Sequence, residues 1–484
     1  MAGNGNKIRI AVVGAGISGL SAAYRVLSMS KAAAVETDLR VFEGADSVGG
    51  VLKTELVNNR IVEHGPDSWV ASKPDVMELV EDLGLTEQVI STNETNRRSL
   101  IACDGELHPL PDGFVMLAPS RLIPFALSPL FSLSGKFRMA LDMVTPPKTD
   151  DSDESVETFV LRRFGREALD KIVQPMVGGI YVGDVAKLSA RSTLTQFVEM
   201  EQRQGSVIKG LMARKDNAHE RTASGARYSM FVTLKNGVST LSRALEAAIG
   251  LDRIEKNSTV TSVRKLDSGR WGVEAAGGSS EFDAVIMATP AFVTAQIVSN
   301  ANANLASDLE KIETSSAAVI NLLYKRADIP RGLDGFGFVV PVTEKRTILA
   351  ASFISNKFKG RAPEDCVAVR AFVGGVLQPE HLKLSDADLV KLARADLEYY
   401  LGVKAEPLSQ LVNRYPASMP QYNLGHAERV QKIIREVNQM PGVFLAGSSY
   451  NGVGIPDCIT SGTRAALAAV EYARTISKLE SVAT

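Results

Sequence analysis

Residues 8–19 read Ile-Arg-Ile-Ala-Val-Val-Gly-Ala-Gly-Ile-Ser-Gly, a hydrophobic run that passes directly into three closely spaced glycines. The run predicts a buried parallel strand, and the residues that follow it predict a helix. Gly14, Gly16 and Gly19 have the G-x-G-x-x-G spacing. In that arrangement the first glycine allows a tight turn, the second lets the backbone approach a pyrophosphate, and the third lets helix and strand pack closely. The N–H groups at the helix N-terminus then face the phosphates.

Two further features separate this stretch from an ordinary glycine-rich turn. Residues 39–42 predict a second strand, which ends at Glu43, where a carboxylate would meet the ribose hydroxyls of a dinucleotide. A glycine pair, Gly49-Gly50, follows shortly afterwards. We therefore interpret residues 8–50 as a dinucleotide-binding unit.

The length and composition indicate a multidomain globular protein. With 484 residues the chain is too long for one ordinary core, so two or three domains are expected. Hydrophobic residues make up 45% of the chain and charged residues 23%, which is typical of globular proteins. The formal net charge of −1 gives no reason to expect a nucleic-acid partner.

The cysteines and histidines favour neither a disulfide framework nor a metal site. Cys103, Cys366 and Cys458 are widely separated and form no C-x-x-C pair. The five histidines offer no evident ligand set, so no metal is expected. This cysteine usage fits a reducing compartment such as the cytoplasm, and residues 1–7 lack the pattern of a secretory signal or transit peptide.

Residues 114–131, FVMLAPSRLIPFALSPLF, form the most membrane-like stretch of the sequence. The stretch is about long enough to span a bilayer, but Arg121 and three prolines argue against a spanning helix. Two interpretations remain open. One is a buried helical cap, and the other is a monotopic surface that lies against a membrane.

The middle of the chain is predicted to be mainly helical, over residues 112–215. An acidic run at 150–154 is interpreted as a solvated loop, and Ser155 is the expected N-cap of the helix that follows it. Another exposed loop is predicted at 215–228.

Short strands resume after that loop. The segment 282–290 is predicted to return to the first sheet, and strand-like runs within 316–375 predict a second sheet. Helices are predicted at 74–83, 156–164, 238–245, 386–401 and 461–478.

Both ends of the chain are predicted to hold the cofactor, which favours retained FAD over a dissociable nicotinamide. A strand at 443–447, a glycine-containing loop and a helix close the chain. They come about 430 residues after Gly14, Gly16 and Gly19, which we call the clamp. A nicotinamide enzyme usually completes its binding fold within one continuous half of the chain. The closing loop, residues 447–458, would place its backbone near the flavin ring.

The order of these motifs resembles the flavin-containing amine oxidase superfamily, and within it the protoporphyrinogen and coproporphyrinogen oxidases. The similarity is greatest to the Gram-positive bacterial branch, whose members act on coproporphyrinogen III. The likeness covers nearly the whole chain, and these stretches carry it: Glu63-His-Gly-Pro-Asp-Ser68, Leu107-His-Pro-Leu-Pro111, Gly178-Gly-Ile-Tyr-Val-Gly-Asp184, Lys187-Leu-Ser189, Met419-Pro-Gln-Tyr422, Leu424-Gly-His426 and Gly452-Val-Gly-Ile-Pro-Asp-Cys-Ile459.

The resemblance implies an α/β fold with three parts. These are a discontinuous Rossmann-like FAD-binding domain, a mixed-sheet substrate domain, and a mainly helical cap or membrane-associated domain. The implied limits are 1–88, 216–300 and 416–484 for the FAD domain, 89–111 and 301–415 for the substrate domain, and 112–215 for the helical domain.

The resemblance also implies the activity. It is the six-electron oxidation of a porphyrinogen to a porphyrin in haem biosynthesis, in hydride-sized steps, with FAD reoxidised by oxygen to give hydrogen peroxide. Coproporphyrinogen III and protoporphyrinogen IX both remain open as substrates. The implied partners are the porphyrinogen, oxygen, a membrane surface at the inner face of the cell membrane, and a ferrochelatase that receives the product. A monomer and a homodimer both remain open.

Family contacts to FAD match residues in six parts of this sequence. They are the pyrophosphate loop, the ribose carboxylate, two loops that line the flavin, a backbone contact on the adenine side, and the closing loop at the isoalloxazine. The matching residues are Gly14, Ala15, Gly16, Ile17, Ser18, Gly19, Glu43, Gly44, Gly49, Gly50, Gly65, Pro66, Val260, Val453, Gly454 and Ile455.

Three residues match family contacts to the tetrapyrrole, and at a fourth position the sequence departs from the plant-type pattern. Gly179 matches a glycine beside the ring, and Val339 and Phe372 match apolar ring contacts. Ser352 stands where the plant-type enzymes carry leucine. Such residues suit the apolar macrocycle of a porphyrinogen, which needs an apolar slot.

The carboxylate fringe of a porphyrinogen also needs cations at the rim of the slot. The arginine that pairs with a propionate in the plant and animal enzymes falls at Ser99, so the adjacent Arg98 is the predicted anchor. Arg97 and Lys73 are further candidates, and an ordinary surface role for Arg98 is the alternative.

No residue is nominated as a general base. Hydride abstraction depends on positioning and on the exclusion of water, while pyrrole N–H protons can pass to solvent. We therefore expect structural hydrogen-bonding roles for His64, Asp67, Tyr422 and Asn451.

Two alternative functions remain beside the porphyrinogen oxidase. One is an amine or polyamine oxidase of the same superfamily, although the aromatic pair and lysine typical of those enzymes cannot be assigned here. The other is a non-catalytic FAD-holding scaffold of tetrapyrrole metabolism. The intact clamp and closing loop argue against a scaffold, which would be free to lose them.

Overall fold

The predicted first strand forms the middle of a five-stranded parallel sheet. The computed structural model describes residues 7–58, 60–95, 98–221 and 231–483, and strands and helices are numbered here in chain order. The strands of this sheet are β1 (Lys7–Val13), β2 (Glu36–Phe42), β12 (Ile254–Glu255), β16 (Ala284–Met287) and β22 (Val443–Leu445). Their order is β12–β2–β1–β16–β22, and every neighbouring pair is parallel. The sheet is thus assembled from three distant parts of the chain, which confirms the predicted discontinuous α/β domain.

Both faces of this sheet are covered, as expected for a parallel sheet. Ile8, Ile10 and Val12 point into one core, and Ala11 and Val13 point into another. The first core is completed by α1 (Ile17–Ala32), α2 (Pro74–Asp82), α11 (Ser239–Ile249) and α18 (Ile455–Ala483). The second core is completed by α12 (Ala291–Val298), α13 (Ala303–Glu310), α16 (His426–Asn438) and a meander of β13 (Ser262–Lys265), β14 (Trp271–Ala275) and β15 (Gly278–Phe282).

The second predicted sheet has seven strands. They are β7 (Ser99–Cys103), β8 (Glu106–Pro109), β17 (Thr314–Lys325), β18 (Gly337–Val339), β19 (Ile348–Phe353), β20 (Cys366–Gly374) and β21 (Ser409–Pro420). The order is β21–β17–β20–β19–β18–β7–β8, and only the β18–β7 pair is parallel. One face is covered by α15 (Asp386–Leu401), and α14 (Ile354–Lys357) follows β19. The sequence did not predict β21, because its half-exposed residues show no apolar alternation.

Residues 112–215 are mainly helical, as predicted. The helices are α3 (Leu122–Leu127), α4 (Leu133–Ala140), α5 (Val156–Arg163), α6 (Arg166–Ala168), α7 (Gln174–Tyr181), α8 (Ala190–Thr193), α9 (Thr195–Gln204) and α10 (Val207–Arg221). A π-helical segment, Leu169–Val173, joins α6 to α7. The hydroxyl of Ser155 accepts a hydrogen bond from the Thr158 N–H at 3.0 Å, so the predicted N-cap is confirmed.

Short elements connect these parts. The strands β3 (Thr54–Val57) and β4 (Arg60–Glu63) form a hairpin, and β5 (Trp69–Val70), β6 (Val89–Ser91) and β11 (Phe231–Leu234) form a three-stranded sheet. Residues 114–131 contain the strands β9 (Phe114–Val115) and β10 (Ala118–Pro119), and then α3. The helix α17 (Ser448–Asn451) follows β22. No helix in the described ranges is long and apolar enough to cross a membrane.

Two local predictions were wrong, and a third, the solvated acidic loop, was right only in part. The predicted loop at 215–228 begins inside a helix, since α10 continues to residue 221; residues 222–228 lie outside the described residues. The acidic run is not wholly solvated, because Asp153 accepts hydrogen bonds from the hydroxyl of Ser189 at 2.8 Å and the N–H of Gly425 at 3.0 Å. The closing helix starts at Ile455 rather than Ser461, since Pro456 and an acidic residue in the first turn are helix-start signals.

Candidate active site

A cavity of about 470 Å³ lies at the carboxyl ends of β1, β2, β16 and β22. This is the edge at which open parallel sheets bind nucleotide cofactors. Nine of the predicted cofactor residues line it: Gly14, Gly16, Ile17, Ser18, Glu43, Gly44, Gly49, Gly50 and Val260. The structure therefore brings together residues from three separate predicted motifs.

The three clamp glycines have different surroundings. Gly14 has a φ of +100°, which non-glycine residues rarely adopt. A Cβ on Gly19 would lie 1.9 Å from the carbonyl oxygen of Gly14, so this position permits the close approach of α1 to the turn. A Cβ on Gly16 would meet no heavy atom within 4 Å, because this residue faces the cavity. The space beside Gly16 is thus a cradle that a side chain would fill.

The N-terminus of α1 faces the same cradle. Gly16 is its N-cap and provides no side-chain hydrogen bond, and the first turn contains no acidic residue. The hydrogen bond from the Leu20 N–H to the Gly16 carbonyl at 2.9 Å begins the helical ladder. The N–H groups before it suit a pyrophosphate.

Glu43 joins the clamp to the end of β2. Its carboxylate accepts hydrogen bonds from the N–H groups of Ala15 at 2.7 Å and Ala45 at 2.8 Å. Each carboxylate oxygen can accept a second bond, which leaves capacity for ribose hydroxyls. The hydroxyl of Ser258, which is buried and has no partner among the described residues, lines the same end of the cavity. This end therefore suits the adenosine part of a dinucleotide.

We expect Glu43→Gln to bind FAD at least ten-fold more weakly, which corresponds to about 1.4 kcal/mol. The neutral amide must turn its NH₂ group toward one of two backbone N–H donors and offers fewer acceptors to the ribose. Titration of apoprotein with FAD measures the change. Glu255→Gln is the matched control, because Glu255 lies on the neighbouring β12 and pairs with the exposed Arg40 at 3.5 Å. Equal affinities for the two variants would contradict the assignment.

At the other end of the cavity, the lining residues of β17 and β21 were not predicted as cofactor contacts, whereas Gly447, Ser448 and Ser449 belong to the predicted closing loop. The lining residues at this end come from the start of β17, the end of β21 and the start of α17: Thr314, Pro416, Ala417, Ser418, Pro420, Gly447, Ser448 and Ser449. Pro290, Phe292 and Val293 line the cavity beside α12. The residues of β17 and β21 were missed because the packing of these two strands brings them to the cavity.

Seven predicted cofactor residues do not line this cavity: Ala15, Gly19, Gly65, Pro66, Val453, Gly454 and Ile455. Ala15 supports the clamp, since its carbonyl accepts the N–H of Gly49 at 2.8 Å. Gly65 lies directly behind Val51, a lining residue, because a Cβ on Gly65 would be 2.2 Å from the Val51 carbonyl oxygen. Val453 and Gly454 directly precede α18, which begins at Ile455. The roles assigned to these seven residues stay predictions.

A buried aromatic pair supports the closing segment. The Tyr422 hydroxyl donates to the carbonyl of Ser448 and accepts the N–H of Gly452 at 2.7 Å. The ring of His426 stacks on the ring of Tyr422, with their centres 4.1 Å apart. The Nε2 of His426 lies 3.0 Å from the Tyr450 carbonyl oxygen. Burial lowers the pKa of His426 to about 4, so the ring is neutral at pH 7. Tyr422 thus has a structural function at the cavity wall.

Three predicted substrate residues share one face of the seven-stranded sheet. Val339 and Phe372 both pair with Ala350, and Ser352 is two residues farther along β19. Their strand neighbours, including Phe338, belong to the core beneath α15, so these three residues lie on the opposite face. Gly179 lies on α7, at a small cavity of about 20 Å³ that Val340 and Gly375 also line. Because Val339 packs against the helical core, this face lies between the sheet and the helical region.

The described candidate propionate anchors have acidic partners. Arg98 lies 3.2 Å from Asp334, and both side chains are more than half exposed. Lys73 pairs with Asp457 at the start of α18. Arg97 lies outside the described residues. Arg98 directly precedes β7, which pairs with β18, so it lies close to the strand that carries Val339.

Neither His64 nor Asp67 is arranged as a strong base. Burial by itself would raise the pKa of the Asp67 carboxyl, but the charges of Lys357 and Arg370 outweigh burial and hold the pKa well below its usual range. Burial lowers the pKa of His64, whose Nε2 contacts Glu55 at 3.0 Å. Among the described residues, no three His, Cys, Asp or Glu side chains are grouped to hold a metal ion.

The pattern that describes the flavin-containing amine oxidoreductases matches residues 17–470. The chain belongs to this family. It is an FAD-dependent oxidoreductase, and the cradle at Gly16, the free helix N-terminus and the Glu43 carboxylate fit that cofactor.

Named relatives cover nearly the whole chain. Coproporphyrinogen III oxidase of Bacillus subtilis is 33% identical, with 96% of this chain and 98% of the relative covered. Coproporphyrinogen III oxidase of Staphylococcus aureus is also 33% identical, with 94% and 98% covered. Protoporphyrinogen oxidase 2 of Arabidopsis thaliana is 28% identical, with 97% and 95% covered.

Solved structures agree with the fold. A protein of Exiguobacterium sp. 255-15, assigned as a protoporphyrinogen oxidase, has a TM-score of 0.82 and 29% identity, with 96% of this chain and 99% of that chain covered. A putrescine oxidase has a TM-score of 0.69 at 18% identity, with 95% and 98% covered, which shows the fold alone.

Proposed function

We propose that this enzyme oxidises coproporphyrinogen III to coproporphyrin III in haem biosynthesis. The observation that carries the proposal is the 33% identity to the Bacillus subtilis coproporphyrinogen III oxidase over 96% of the chain. The second candidate substrate is protoporphyrinogen IX. Its support is weaker, because the protoporphyrinogen oxidase of Arabidopsis thaliana is 28% identical to this chain. The two substrates differ at two side chains, which are propionates in the first and vinyl groups in the second.

The proposed reaction removes six electrons and six protons from the macrocycle. FAD, when bound, accepts a hydride from the porphyrinogen in each two-electron step and passes the electrons to oxygen. Three molecules of oxygen are thereby reduced to three of hydrogen peroxide, so atoms and electrons balance. The protons released by the pyrrole nitrogens pass to solvent, which agrees with the lack of a strong base at His64 or Asp67.

The residues of the chain bind and orient. The loop from Gly14 to Gly19 and the N-terminus of α1 hold the pyrophosphate, and Glu43 holds the ribose. Gly65, Pro66 and the residues 453–455 lie beside the flavin in this proposal.

The macrocycle lies against the sheet face of Val339, Ser352 and Phe372, with Gly179 on the opposite side. Arg98 anchors a propionate by exchanging its exposed partner Asp334 for the substrate carboxylate.

Side-by-side kinetics on the two porphyrinogens test this proposal. We expect porphyrin fluorescence, oxygen uptake and hydrogen peroxide to appear together, with kcat/KM at least ten-fold higher for coproporphyrinogen III. Turnover of benzylamine or spermine without porphyrin fluorescence would show an amine oxidase instead. Protein that retains FAD but consumes no oxygen with either porphyrinogen would indicate a scaffold.

The helical region carries an apolar surface that we propose to contact a membrane. Ile123 and Leu127 on α3 are 75% and 80% exposed, and Leu133 and Phe137 on α4 are 84% and 68% exposed. The Lys136 ammonium donates to the Ala126 carbonyl at 2.8 Å, which holds the two helices together. A contiguous exposed apolar surface is typical of a contact with a lipid surface or a partner.

We accordingly propose a cytoplasmic enzyme in peripheral contact with the inner face of the cell membrane. Its product, an apolar macrocycle with a carboxylate fringe, would then pass to a ferrochelatase at the same surface. This arrangement is compatible with a monomer and with a homodimer.

The double variant Leu127→Glu/Phe137→Glu is expected to bind anionic phospholipid vesicles at least ten-fold more weakly, because two carboxylates replace apolar contacts. Co-sedimentation with vesicles measures the binding. Leu251→Glu is the control, since Leu251 is 69% exposed but belongs to the FAD-binding part of the chain. Unchanged sedimentation of the double variant would contradict the membrane contact.

A further inference from the structure

Arg370 joins the seven-stranded sheet to the loop between β4 and β5. It lies on β20, where it pairs with Ser352 on β19 and Asn321 on β17. Its guanidinium donates to the carbonyls of Gly65 and, at 3.4 Å, His64. Nη1 also lies 3.2 Å from the carboxylate of Asp67. One side chain thus holds three residues of a loop that lies more than 300 positions earlier in the sequence.

The partners of Arg370 are themselves fixed. Asp67 also receives the Lys357 ammonium at 3.0 Å and the Ser68 hydroxyl at 2.6 Å. Beside them, the Asn321 amide donates to the carbonyl of Glu63 at 3.3 Å. Arg370 is 3% exposed, so its contacts are made out of water, where charge-assisted hydrogen bonds are strong.

Movement of this loop would reach the cofactor cavity directly. A Cβ on Gly65 would lie 2.2 Å from the carbonyl oxygen of Val51, so the two backbones are in close contact. Val51 lines the cavity. The Arg370 guanidinium also contacts the sheet itself. It lies 5.4 Å from the ring centre of Phe372, which is two residues farther along β20. Arg370 therefore lies between the wall of the cofactor cavity and the face proposed to hold the substrate.

An arginine suits this position better than a lysine. Its planar fork reaches two carbonyls and a carboxylate at once, whereas an ammonium is a point charge on a flexible stem. The strand around it, Cys366-Val-Ala-Val-Arg-Ala-Phe-Val-Gly374, is otherwise apolar. A buried charge in such a strand is costly unless it is paired and hydrogen-bonded, as Arg370 is with the loop.

We propose that Arg370 is a positioning residue that sets the separation between the cofactor and the substrate face. The inference rests on the proposed function only for the identity of the substrate. A misplacement of about 1 Å at a reacting centre can cost on the order of 10²-fold in rate. Loss of the Arg370 contacts should therefore slow the transfer step while both binding sites remain.

The test compares Arg370→Met and Arg370→Lys with two control variants in FAD-loaded enzyme. Arg361→Met removes another buried guanidinium, which donates to the carbonyls of Leu234 and Lys235 on and beside β11. Lys357→Met removes a cation that contacts Asp67 and Ser68 but no carbonyl of the loop. The measurements are the anaerobic rate of flavin reduction by coproporphyrinogen III, KM, FAD content, Tm and the visible spectrum of the oxidised flavin.

For Arg370→Met we expect flavin reduction to be about 100-fold slower, with KM within about three-fold and full FAD content. Arg370→Lys should reduce its flavin less than ten-fold faster than Arg370→Met does, because lysine restores the charge but not the planar fork. Arg361→Met should lower Tm at least as much as Arg370→Met does, while its rate of flavin reduction stays within about three-fold of the wild-type rate. Lys357→Met should slow flavin reduction less than Arg370→Met does, because the contacts of Arg370 with the carbonyls of Gly65 and His64 remain.

Other outcomes would overturn the proposal. A raised KM with an unchanged reduction rate would make Arg370 a substrate contact, and equal losses of rate in Arg370→Met and Arg361→Met would make its role one of stability. The visible spectrum is independent of the substrate. If wild-type flavin is not reduced by any porphyrinogen, the proposed function fails, yet a changed flavin band in Arg370→Met but not in Arg361→Met would still support positioning. In that case, identical flavin bands in all variants would overturn the positioning proposal.

Discussion

Gly16→Leu is expected to yield a folded protein that contains no FAD. A Cβ at this position meets no heavy atom within 4 Å, so the new side chain fits the fold and extends into the cavity. It would occupy the space beside the N-terminus of α1, where the pyrophosphate binds. Purified variant should lack the visible flavin spectrum and all oxidase activity, while its far-UV circular dichroism matches the wild type.

Gly277→Leu is the matched control for this prediction. Gly277 also has no heavy atom within 4 Å of an added Cβ, but it lies in the turn between β14 and β15, away from the cavity. This variant should retain FAD. Full flavin occupancy in Gly16→Leu would contradict the assignment of the clamp, and so would an unfolded protein, because the structure leaves room for the side chain.

Asp142→Ala should lower the free energy of unfolding by about 3–5 kcal/mol, the usual cost of breaking a buried ion pair. The Asp142 carboxylate lies 2.5 Å from the guanidinium of Arg163, and both side chains are 0% exposed. It also accepts the hydroxyl of Ser206 at 2.6 Å and the N–H of Ile208 at 2.9 Å. The variant leaves a buried positive charge and two donors without this partner. Urea denaturation followed by circular dichroism measures the loss.

Glu157→Ala is the control in the same helical region. Glu157 lies 3.3 Å from Arg166, whose side chain is 62% exposed, so solvent screens the pair. The expected loss is below about 1 kcal/mol. Similar losses for the two variants would show that the buried network contributes no more than a surface pair.

Local signals predicted the cofactor clamp and the helices α1, α2, α5, α11, α15 and α18. The bounds of α15 agree residue for residue with the prediction. The hydroxyl of Ser385 accepts the Asp388 N–H and so caps the N-terminus, and Gly402 ends the helix in the left-handed conformation. The clamp is likewise local, since a turn, a cradle and a helix N-terminus need only neighbouring residues. Where half-exposed residues gave no periodicity, as in β21, the prediction failed.

The candidate substrate site depended on contacts that a single sequence does not display. Val339, Ser352 and Phe372 come from three strands, and strand register places them on one face. The partner of Arg98 is Asp334, 236 positions away. Arg370 carried one detectable signal, a charge within an apolar strand, but its partners in the loop at 64–67 were not detectable.

The sequence by itself determined that the chain folds around a glycine clamp for FAD, because the turn at Gly14 and the close approach of Gly19 to the Gly14 carbonyl join residues that are neighbours in the sequence. It also predicted the discontinuous α/β architecture, since the closing strand and helix carry their own hydrophobic patterns. Only the tertiary structure decided how the cofactor cavity is walled by β17, β21 and α17, and how Arg370 links that wall to the substrate sheet. The physical reason is that strand register and buried ion pairs join residues hundreds of positions apart, and these choices depend on the packing of the whole chain.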